Sequence, residues 1–498
     1  MKYLKACILS LAILASQSFT GCTENASPSV PLNSSVIGNS STENIVTLKY
    51  YTIGAFDSDI KVVNAALNNL LEKKINIHIE YNKLGWSDYG KKLANIINSG
   101  TDFDITFATG IDQGDYVGNA KKGVWLALDP YLETNGKEMY DIINPLLWEG
   151  VKINGKIYGV PTNKEVAVPE WWIYPKGLID KYKIDISKYT TLEALEPLFR
   201  KIYQNEPQYI PMNLDQTSHN FFALENYEYL LNRNIPLMVQ STDNKLKVVN
   251  IYETALGRET LNTLRKYYEA GYINEDAAVK VGQGLEKNQK SFWIGSGAGL
   301  YANASWSKDL GYEVVSQQVS ASIVTTESAR GGIMVVNSHT KYPEACIQFL
   351  NCLNTDPEVR NLINFGIEGV HYDLTPQGQV EMKPNSGYVG VQYTQGNWFI
   401  LNTLKGDPLN KWDEYKKFND AATKSEALDF TPDISSPSVS LKLQAVSRVT
   451  EKYYSALMTG TVDPEIFLPH FLKELKDAGI DELKNIFQNQ IEDWKANR

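Results

Sequence analysis

The sequence predicts an α/β fold, and three observations in its first hundred or so residues support this prediction. Short runs rich in β-branched and aromatic residues have the composition of strands and lie at residues 45–53, 75–81 and 104–108. Between these runs, residues 59–73 and 87–99 repeat apolar side chains with helical spacing. This β-α-β-α-β order predicts a parallel sheet covered by helices. Ligands of such sheets bind beyond the carboxyl ends of the strands, so residues 54–59 and 109–116 are candidate site loops.

The rest of the chain continues this mixture of helices and strands. Residues 150–161 predict a hairpin whose turn is Asn154-Gly155, a pair that favours the two-residue turns of hairpins. Strand composition returns at residues 314–336. Helical spacing returns in the segments 191–205, 253–270 and 342–354. The C-terminal region is mostly helical, with Gly479 between two helices.

The first 22 residues have the pattern of a secretory signal. Lys2 and Lys5 give a basic start, and residues 6–15 form an apolar stretch. The Gly21-Cys22 ending resembles the lipobox of bacterial lipoproteins, in which the cysteine carries lipid and becomes the new N-terminus. Residues 23–44 are rich in Ser, Asn, Thr and Pro, which is typical of a flexible tether. Because such a tether offers no surface for packing, a buried N-terminal helix is the weaker interpretation.

Size, composition and charge exclude several functional classes. The chain has 498 residues, of which 43% are apolar and 21% charged, and this favours a globular protein with a large core. Its formal net charge is −10, and an acidic surface repels phosphates, so nucleic acid is not an expected partner. After the signal, no stretch approaches the roughly 18 apolar residues of a membrane span. We therefore expect the lipid at Cys22 to be the only membrane attachment.

Signatures of metal and nucleotide chemistry are missing from the sequence. The five His residues are scattered and no CxxC pair occurs, so we predict no metal site and no cofactor. Gly295-x-Gly297-x-Gly299 lacks the Lys-Ser/Thr of a phosphate-binding loop, and close packing or a hinge is the better interpretation. A glycosidase needs two carboxylates roughly 5–10 Å apart. The 58 acidic residues leave that alternative open.

Aromatic residues are the strongest indication of a binding function. The chain has 29 Tyr and 10 Trp, and six of the tryptophans fall in or beside predicted loops and Gly-rich turns. Aromatic rings stack on the apolar faces of sugars, while carboxylates and amides exchange hydrogen bonds with sugar hydroxyls. A single loop tryptophan is more often a packing residue, but we expect at least two of the six to line a ligand cleft. The predicted ligand-binding residues are Asp57, Trp86, Asp112, Glu165, Trp171, Trp172, Asn303, Trp306, Asn397 and Trp398.

Residues 342–372 resemble a segment of a known family. Their sequence, YPEACIQFLNCLNTDPEVRNLINFGIEGVHY, has a helix, a TDPEV turn and a GIEGVHY ending in the order typical of bacterial extracytoplasmic solute-binding proteins of family 1. Gly396-Asn397, Trp412 and the LKDAGI segment at 475–480 are similar to the long lipoprotein subgroup of that family. Trp398 stands where the family usually has Gln, so the resemblance does not identify the ligand.

The resemblance implies a two-lobed α/β fold like that of periplasmic binding proteins of class II type. The ligand cleft would lie between the lobes, and the C-terminal region would be helical. The implied organisation is a lipoprotein signal peptide at 1–21, a flexible tether at 22–44, lobe 1 at 45–162 plus about 300–370, and lobe 2 at 163–299 plus about 371–498.

The function that the resemblance implies is that of a receptor and not of an enzyme. Such a receptor is lipid-anchored on the outside of the bacterial cell membrane and works as a monomer. It captures a sugar or oligosaccharide and delivers it to the permease subunits of an ABC importer. Two alternatives stay open: the same receptor fold with a peptide or other non-sugar solute, and a secreted glycan-processing enzyme.

Overall fold

The computed structural model describes residues 45–110, 114–282 and 285–498. Residues 45–498 form one compact unit. The described strands are β1 (Val46–Ile53), β2 (Ile77–Leu84), β3 (Ile105–Ala108), β4 (Lys152–Ile153), β5 (Lys156–Ile157), β6 (Gly159–Pro161), β7 (Glu170–Pro175), β8 (Ile210–Met212), β9 (Tyr227–Tyr229), β10 (Leu237–Gln240), β11 (Val249–Asn250), β12 (Ser291–Gly297), β13 (Val314–Gln318), β14 (Ile323–Val324), β15 (Ile333–Val336), β16 (Tyr372–Leu374), β17 (Val380–Met382) and β18 (Thr423–Lys424).

The described α-helices include both single-turn and long elements. They are α1 (Ile60–Ile75), α2 (Tyr89–Ser99), α3 (Tyr116–Lys121), α4 (Asp129–Leu132), α5 (Lys137–Ile142), α6 (Pro145–Gly150), α7 (Lys176–Tyr182), α8 (Glu196–Asn205), α9 (Ala255–Glu269), α10 (Ala302–Leu310), α11 (Thr326–Ala329), α12 (Pro343–Thr355), α13 (Pro357–Phe365), α14 (Lys411–Ala421), α15 (Pro437–Met458), α16 (Pro464–Asp477) and α17 (Ile480–Ala496). Among the described residues, no helix combines the length and apolar character that crossing a membrane requires.

A five-stranded sheet with the order β2-β1-β3-β15-β6 forms the centre of the first lobe. β1 pairs in parallel with β2 and with β3, as the sequence predicts. The sheet is nevertheless mixed, because β15 runs antiparallel to β3 and β6. Val63, Leu67 and Leu71 are all buried in the first core, since a spacing of four residues places them on one face of α1.

The predicted hairpin at residues 150–161 is confirmed. β4 and β5 pair antiparallel, with Lys152 opposite Ile157 and Ile153 opposite Lys156. Asn154 and Gly155 connect them, and both have positive φ angles, 51° and 77°. A two-residue turn of this kind requires positive φ at both positions, which explains why the sequence signal was reliable here.

A four-stranded sheet with the order β13-β7-β12-β8 forms the centre of the second lobe. β7 runs antiparallel to both β12 and β13, and β12 runs parallel to β8. Apolar side chains of α8, α9 and the C-terminal helices α15, α16 and α17 fill the core on this sheet. The helical C-terminal region that the sequence predicts therefore belongs to the second core.

Three segments connect the two cores. They are residues 166–172, 319–324 and 427–430. In the first segment, Val166 is buried in the first core and Trp172 in the second. In the last segment, Leu428 is buried in the first core and Phe430 in the second. Two separate cores joined by these three connections make the two-lobed architecture that the family resemblance implies.

The packing departs from the predicted lobe boundaries at two places, and the boundaries themselves stay a prediction. Val314–Gln318 pairs with β7 and so belongs to the second sheet, although it follows residue 300. Tyr388 is buried in the first core, although it follows residue 370. Nearby, Gln395 accepts a hydrogen bond from Tyr50 at 2.8 Å and so ties this late segment to β1. Such long-range contacts leave no periodic pattern in the sequence.

Candidate functional site

A cavity of about 1400 Å³ has walls from both lobes. The first lobe contributes Thr109 and Gly110, which directly follow β3, together with residues of α3. The second lobe contributes Asn220, residues 228–235 and one face of α15. α11 and the connection at residues 427–430 also line it. The cavity therefore lies where the carboxyl end of a first-lobe strand meets the second lobe, as the sheet topology predicts.

Exposed aromatic rings lie at the same edge of the first sheet. Trp86 follows β2 and Phe56 follows β1, and they are 45% and 93% exposed. The Tyr393 ring lies 6.2 Å from that of Trp86 and 6.1 Å from that of Phe107 in β3. Since parallel strands end at one edge of a sheet, these rings form an apolar surface beside the loop that opens the cavity. Large exposed rings in such a place suit the apolar faces of sugars.

The second-lobe wall offers buried polar atoms. Asn220 lines the cavity, and its buried Oδ1 accepts no hydrogen bond from any described residue. Beside it in sequence, the His219 Nε2 lies 3.1 Å from Glu170 Oε2, at the start of β7. Leaving buried polar atoms without full partners costs free energy, so such atoms are places where a ligand's hydroxyls gain most.

Glu228 of β9 is a buried carboxylate in the same wall. Its Oε1 accepts a hydrogen bond from the Ser425 hydroxyl, which belongs to the connection between β18 and Leu428. Burial, together with a smaller contribution from the charge of Glu327, raises the pKa of the Glu228 carboxyl to about 7. The carboxyl is therefore partly protonated at neutral pH, and it can both donate and accept hydrogen bonds.

Arg330 holds the loop after β3 in place. Its Nε and Nη2 donate to the carbonyl oxygens of Gly150 and Lys152 at 2.8 and 2.7 Å. Its own carbonyl accepts a hydrogen bond from the backbone of Gly110 at 3.2 Å. Burial lowers the pKa of Arg330 to about 10, which still leaves the guanidinium charged at neutral pH. Arg330 therefore links the first-lobe wall of the cavity to α6 and the β4–β5 hairpin.

Three of the predicted ligand residues come together, but in a different place. Trp171, Asn303 and Trp306 line a second cavity of about 340 Å³ together with Pro408 and its neighbours. The Trp171 Nε1 donates to the carbonyl oxygen of Ala298 at 2.9 Å, and the Ser316 hydroxyl donates to Asn303 at 2.6 Å. Gly406, Asp407 and Pro408 also line this small cavity, and it shares no lining residue with the large cavity.

Three other predicted residues have structural partners that occupy their side chains. Trp172 is fully buried in the second core, because alternate residues of β7 face opposite sides of the sheet. Asp57 is buried in an ion pair with Lys83. Asn397 is buried and accepts from the Phe399 backbone at 2.9 Å, as a helix cap does. We leave these three out of the proposed site.

Glu165 and Trp398 lie at the junction between the first crossing segment and the late part of the chain. Glu165 pairs with the buried Lys164 at 3.0 Å. Trp398 donates from Nε1 to the carbonyl oxygen of Gln392 at 3.0 Å and contacts the Tyr415 ring. Neither lines the large cavity. Asp112 and Cys22 lie outside the described residues, and their predicted roles stay predictions.

The sequence analysis did not predict several residues of the cavity and of the neighbouring first-lobe edge. Phe56 lies in a loop that the strand order had marked, but only tryptophans and acidic residues were chosen there. Asn220, Glu228 and Tyr393 lie in segments without a strong periodic pattern, and no local signal marks them. In the described part of the chain, no group of His, Cys, Asp and Glu side chains is arranged to hold a metal ion.

The sequence profile of the bacterial extracellular solute-binding proteins matches residues 65–369, which is more than half of the chain. The chain belongs to this family. A second profile, of a domain of unknown function, matches residues 426–496, the segment that contains α15 to α17. The family name places this solute-binding protein outside the cytoplasm and confirms the resemblance found at residues 342–372.

Characterised relatives of this solute-binding protein come from Streptococcus pneumoniae. A carbohydrate ABC transporter substrate-binding protein from serotype 4 is 29% identical over 459 residues, which is 91% of each chain. The crystal structure of the N-glycan transport protein NgtS is 28% identical, with a TM-score of 0.83, and covers 91% of this chain and 99% of that one. An oligosaccharide-binding transporter protein from Bifidobacterium longum infantis shares the fold at 14% identity, with a TM-score of 0.62. These matches confirm the predicted two-lobed fold.

Proposed function

We propose that this solute-binding protein captures an oligosaccharide in the large cavity and delivers it to an ABC importer. The cavity itself carries the proposal. At about 1400 Å³ it exceeds the roughly 300–1,000 Å³ typical of pockets for drug-sized ligands, and its walls come from both lobes. NgtS, the structural relative, has been crystallised with Man1GlcNAc and with Man5GlcNAc, which supports a glycan of several sugar units.

The walls supply two kinds of contact that an oligosaccharide uses. Trp86, Tyr393 and Phe56 offer apolar rings at the first-lobe edge. Asn220 and Glu228 offer polar atoms from the second lobe. A neutral sugar gains little from long-range charge, so stacking and many hydrogen bonds in a water-poor cleft must provide its affinity.

Closure of the two lobes completes these contacts. The chain superposes on the NgtS structure without a named glycan with a TM-score of 0.83, but on the two glycan complexes with scores of 0.73 and 0.70. Identity is almost the same in all three comparisons, so the difference reflects shape and not sequence. This supports an open form that a glycan shifts towards a closed one. The closed form is the species that the permease subunits would accept.

A second function deserves a test because of one observation. Glu228 and Glu327 both line the cavity, and a carboxyl whose pKa is raised near 7 is what a glycosidase uses as its general acid. The family consists of solute-binding proteins, so we propose binding without catalysis. Hydrolysis of a bound glycan that stops in Glu228→Gln would establish the enzyme instead.

Binding calorimetry on the mature protein tests the proposed function. The ligands are mannose- and GlcNAc-containing oligosaccharides of increasing length, unrelated oligosaccharides, and peptides of matching mass. We expect saturable binding of at least one oligosaccharide class and none of the peptides. Binding of peptides alone would replace the oligosaccharide with a peptide as the solute and overturn the proposal.

We also propose that lipid at Cys22 holds the receptor, as a monomer, on the outer face of the cell membrane. The signal-like pattern of residues 1–22, with its Gly21-Cys22 ending, supports this proposal. Cys22→Ser should move the protein from the membrane fraction to the medium or soluble fraction. Retention of Cys22→Ser in the membrane fraction would show that the lipid is not the attachment.

A further inference from the structure

The charge on the wall of the large cavity opposes the charge of the whole chain. The formal net charge of the protein is −10. Of the residues that the structure describes, five with basic side chains line the cavity, namely Lys121, Lys122, Arg233, Arg330 and Arg448. In the same described ranges, three residues with acidic side chains line it, namely Asp115, Glu228 and Glu327. An excess of basic side chains around a cavity creates a local positive potential there, even in a protein whose net charge is negative.

The acidic side chains Asp115 and Glu228 have hydrogen-bond partners within the protein. The Asp115 Oδ1 accepts a hydrogen bond from the backbone of Gly118 at 2.9 Å, inside the first turn of α3. The Glu228 carboxyl accepts from the Ser425 hydroxyl, and burial raises its pKa to about 7, so its average negative charge is reduced at neutral pH. Because the Glu228 carboxyl is partly protonated, the positive side chains outweigh the negative ones by more than their numbers indicate.

Some basic side chains have structural partners and others do not. Arg330 is buried against backbone carbonyls, and Lys121 lies 3.4 Å from Asp433. Arg233 donates to the Thr217 carbonyl and lies over a tyrosine ring. In contrast, Lys122 and Arg448 are exposed, and neither side chain forms a hydrogen bond or ion pair with any residue that the structure describes. These two side chains are available to a ligand.

The two available cations come from opposite walls. Lys122 follows α3, which packs on the first core through Tyr116 and Ala120. Arg448 lies on α15, which packs on the second core through Val446 and Tyr453. When the lobes close, like charges from the two walls approach each other, which costs free energy. An anionic group held between them turns this repulsion into attraction.

We propose that this cavity prefers an oligosaccharide that carries an anionic group, such as the carboxylate of an acidic sugar or a sulfate ester, which Lys122 and Arg448 bind from the two lobes. The inference rests on the proposed function, since it assumes that an oligosaccharide occupies the cavity. It adds the chemical class of the glycan and names two residues that select it.

Calorimetry with matched glycans tests the preference. The probes are a neutral oligosaccharide that binds, the same oligosaccharide with a terminal carboxylated sugar, and the same backbone with a sulfate ester. At low salt we expect an anionic form to bind about tenfold tighter than the neutral form. The gain should shrink at about 0.5 M salt, because exposed charges are screened over a few Å there. The carboxylate and sulfate arms distinguish the two sources of negative charge.

Substitutions at two residues of α15 test whether Arg448 causes the preference for the anionic glycan. Arg448→Gln should weaken binding of the anionic glycan about tenfold more than binding of the neutral glycan, and so remove most of the anionic gain. Lys452→Gln is the matched control, because Lys452 lies one turn further on α15, pairs with Glu474 at 2.7 Å and does not line the cavity. Lys122→Gln provides the same test from the first lobe. Equal denaturation midpoints for all variants show that each protein is folded.

The outcomes separate this inference from the proposed function. Neutral binding that equals or exceeds anionic binding overturns the inference and leaves the oligosaccharide receptor intact. An anionic gain that survives the double variant Lys122→Gln, Arg448→Gln overturns the assignment to these residues. Failure of every glycan to bind, with peptides binding, overturns both proposals. A gain that is lost in Arg448→Gln and kept in Lys452→Gln supports the inference.

Discussion

The two lobes use aromatic side chains in opposite ways. At the first-lobe edge, Trp86 and Tyr393 are 45% and 36% exposed and contact each other at the surface. In the second lobe, Trp172 and Trp293 are 0% and 1% exposed and contact each other inside the core. Tryptophan therefore lies at the surface of the first lobe and in the packed core of the second.

The position of each tryptophan relative to its strand explains the difference. Trp86 follows the end of β2 at Leu84, so no neighbouring strand and no helix cover its ring. Trp172 lies within β7, between β12 and β13, and faces the helices of the second lobe. Its neighbour Trp171 points to the other face and reaches the small cavity. The position of a tryptophan near a predicted loop therefore does not predict whether its ring faces solvent or the core.

The largest effect on stability should come from replacing a tryptophan in the second core. Trp172→Ala should lower the free energy of unfolding by about 3–5 kcal/mol, because it removes a fully buried ring and leaves a cavity. Urea denaturation measures this loss. Trp171→Ala is the matched control on the same strand, and we expect a smaller loss because its ring lies at a cavity. If Trp172→Ala left stability unchanged and weakened glycan binding, Trp172 would be a binding residue and the contrast between the two lobes would be wrong.

The buried carboxyl of the second wall should give an effect of intermediate size that depends on pH. The pKa of Glu228 is about 7 in the folded state, against an ordinary value of 4.5. Its protonated form therefore stabilises the fold fully below about pH 4.5, and this stabilisation is lost as the pH rises through about 7.

Glu228→Gln should remove this pH dependence. Between pH 5 and 8 we expect the wild type to lose about 2–3 kcal/mol of stability relative to the variant. Urea denaturation at both pH values gives this difference directly, and Glu259→Gln, on the exposed face of α9, is the control for removing a carboxylate. A constant difference across the range would show that Glu228 keeps its charge in the folded protein.

Replacement of the exposed Trp86 ring should have the smallest effect, and this effect should be on ligand affinity and not on stability. Trp86→Ala should weaken oligosaccharide binding by about 1–2 kcal/mol, roughly 5- to 30-fold, because a stacking ring is lost. The free energy of unfolding should stay within about 0.5 kcal/mol of the wild type, since the ring is at the surface. Tyr203→Ala on α8, which removes an exposed ring away from the cavity, is the control. A stability loss above that bound would place Trp86 among the packing residues.

Sequence periodicity predicted the local elements of the first lobe well. The expected strands and helices between residues 45 and 108 correspond to β1, α1, β2, α2 and β3. Each has a clear period, and one face of each is buried. The same method could not place β15 in the first sheet, because its partner β3 is more than two hundred residues away.

The candidate site was predicted less completely than the fold. The loop after β3 was marked from strand order, and Thr109 and Gly110 do line the cavity. Trp86 was chosen for its residue type and lies at the exposed edge. Asn220, Glu228 and Arg448 were not chosen, because their approach to the first lobe depends on how two separately folded cores meet.

By itself, the sequence determined the class of elements, the strand order at the start of the chain and the family. Those properties depend on short-range patterns and on a motif at residues 342–372. Only the tertiary structure decided which tryptophans face solvent, which late segments join the first sheet and which charges line the cavity. These properties depend on contacts between residues far apart in the chain. Burial at such contacts distinguishes a tryptophan in the core from one whose ring is exposed.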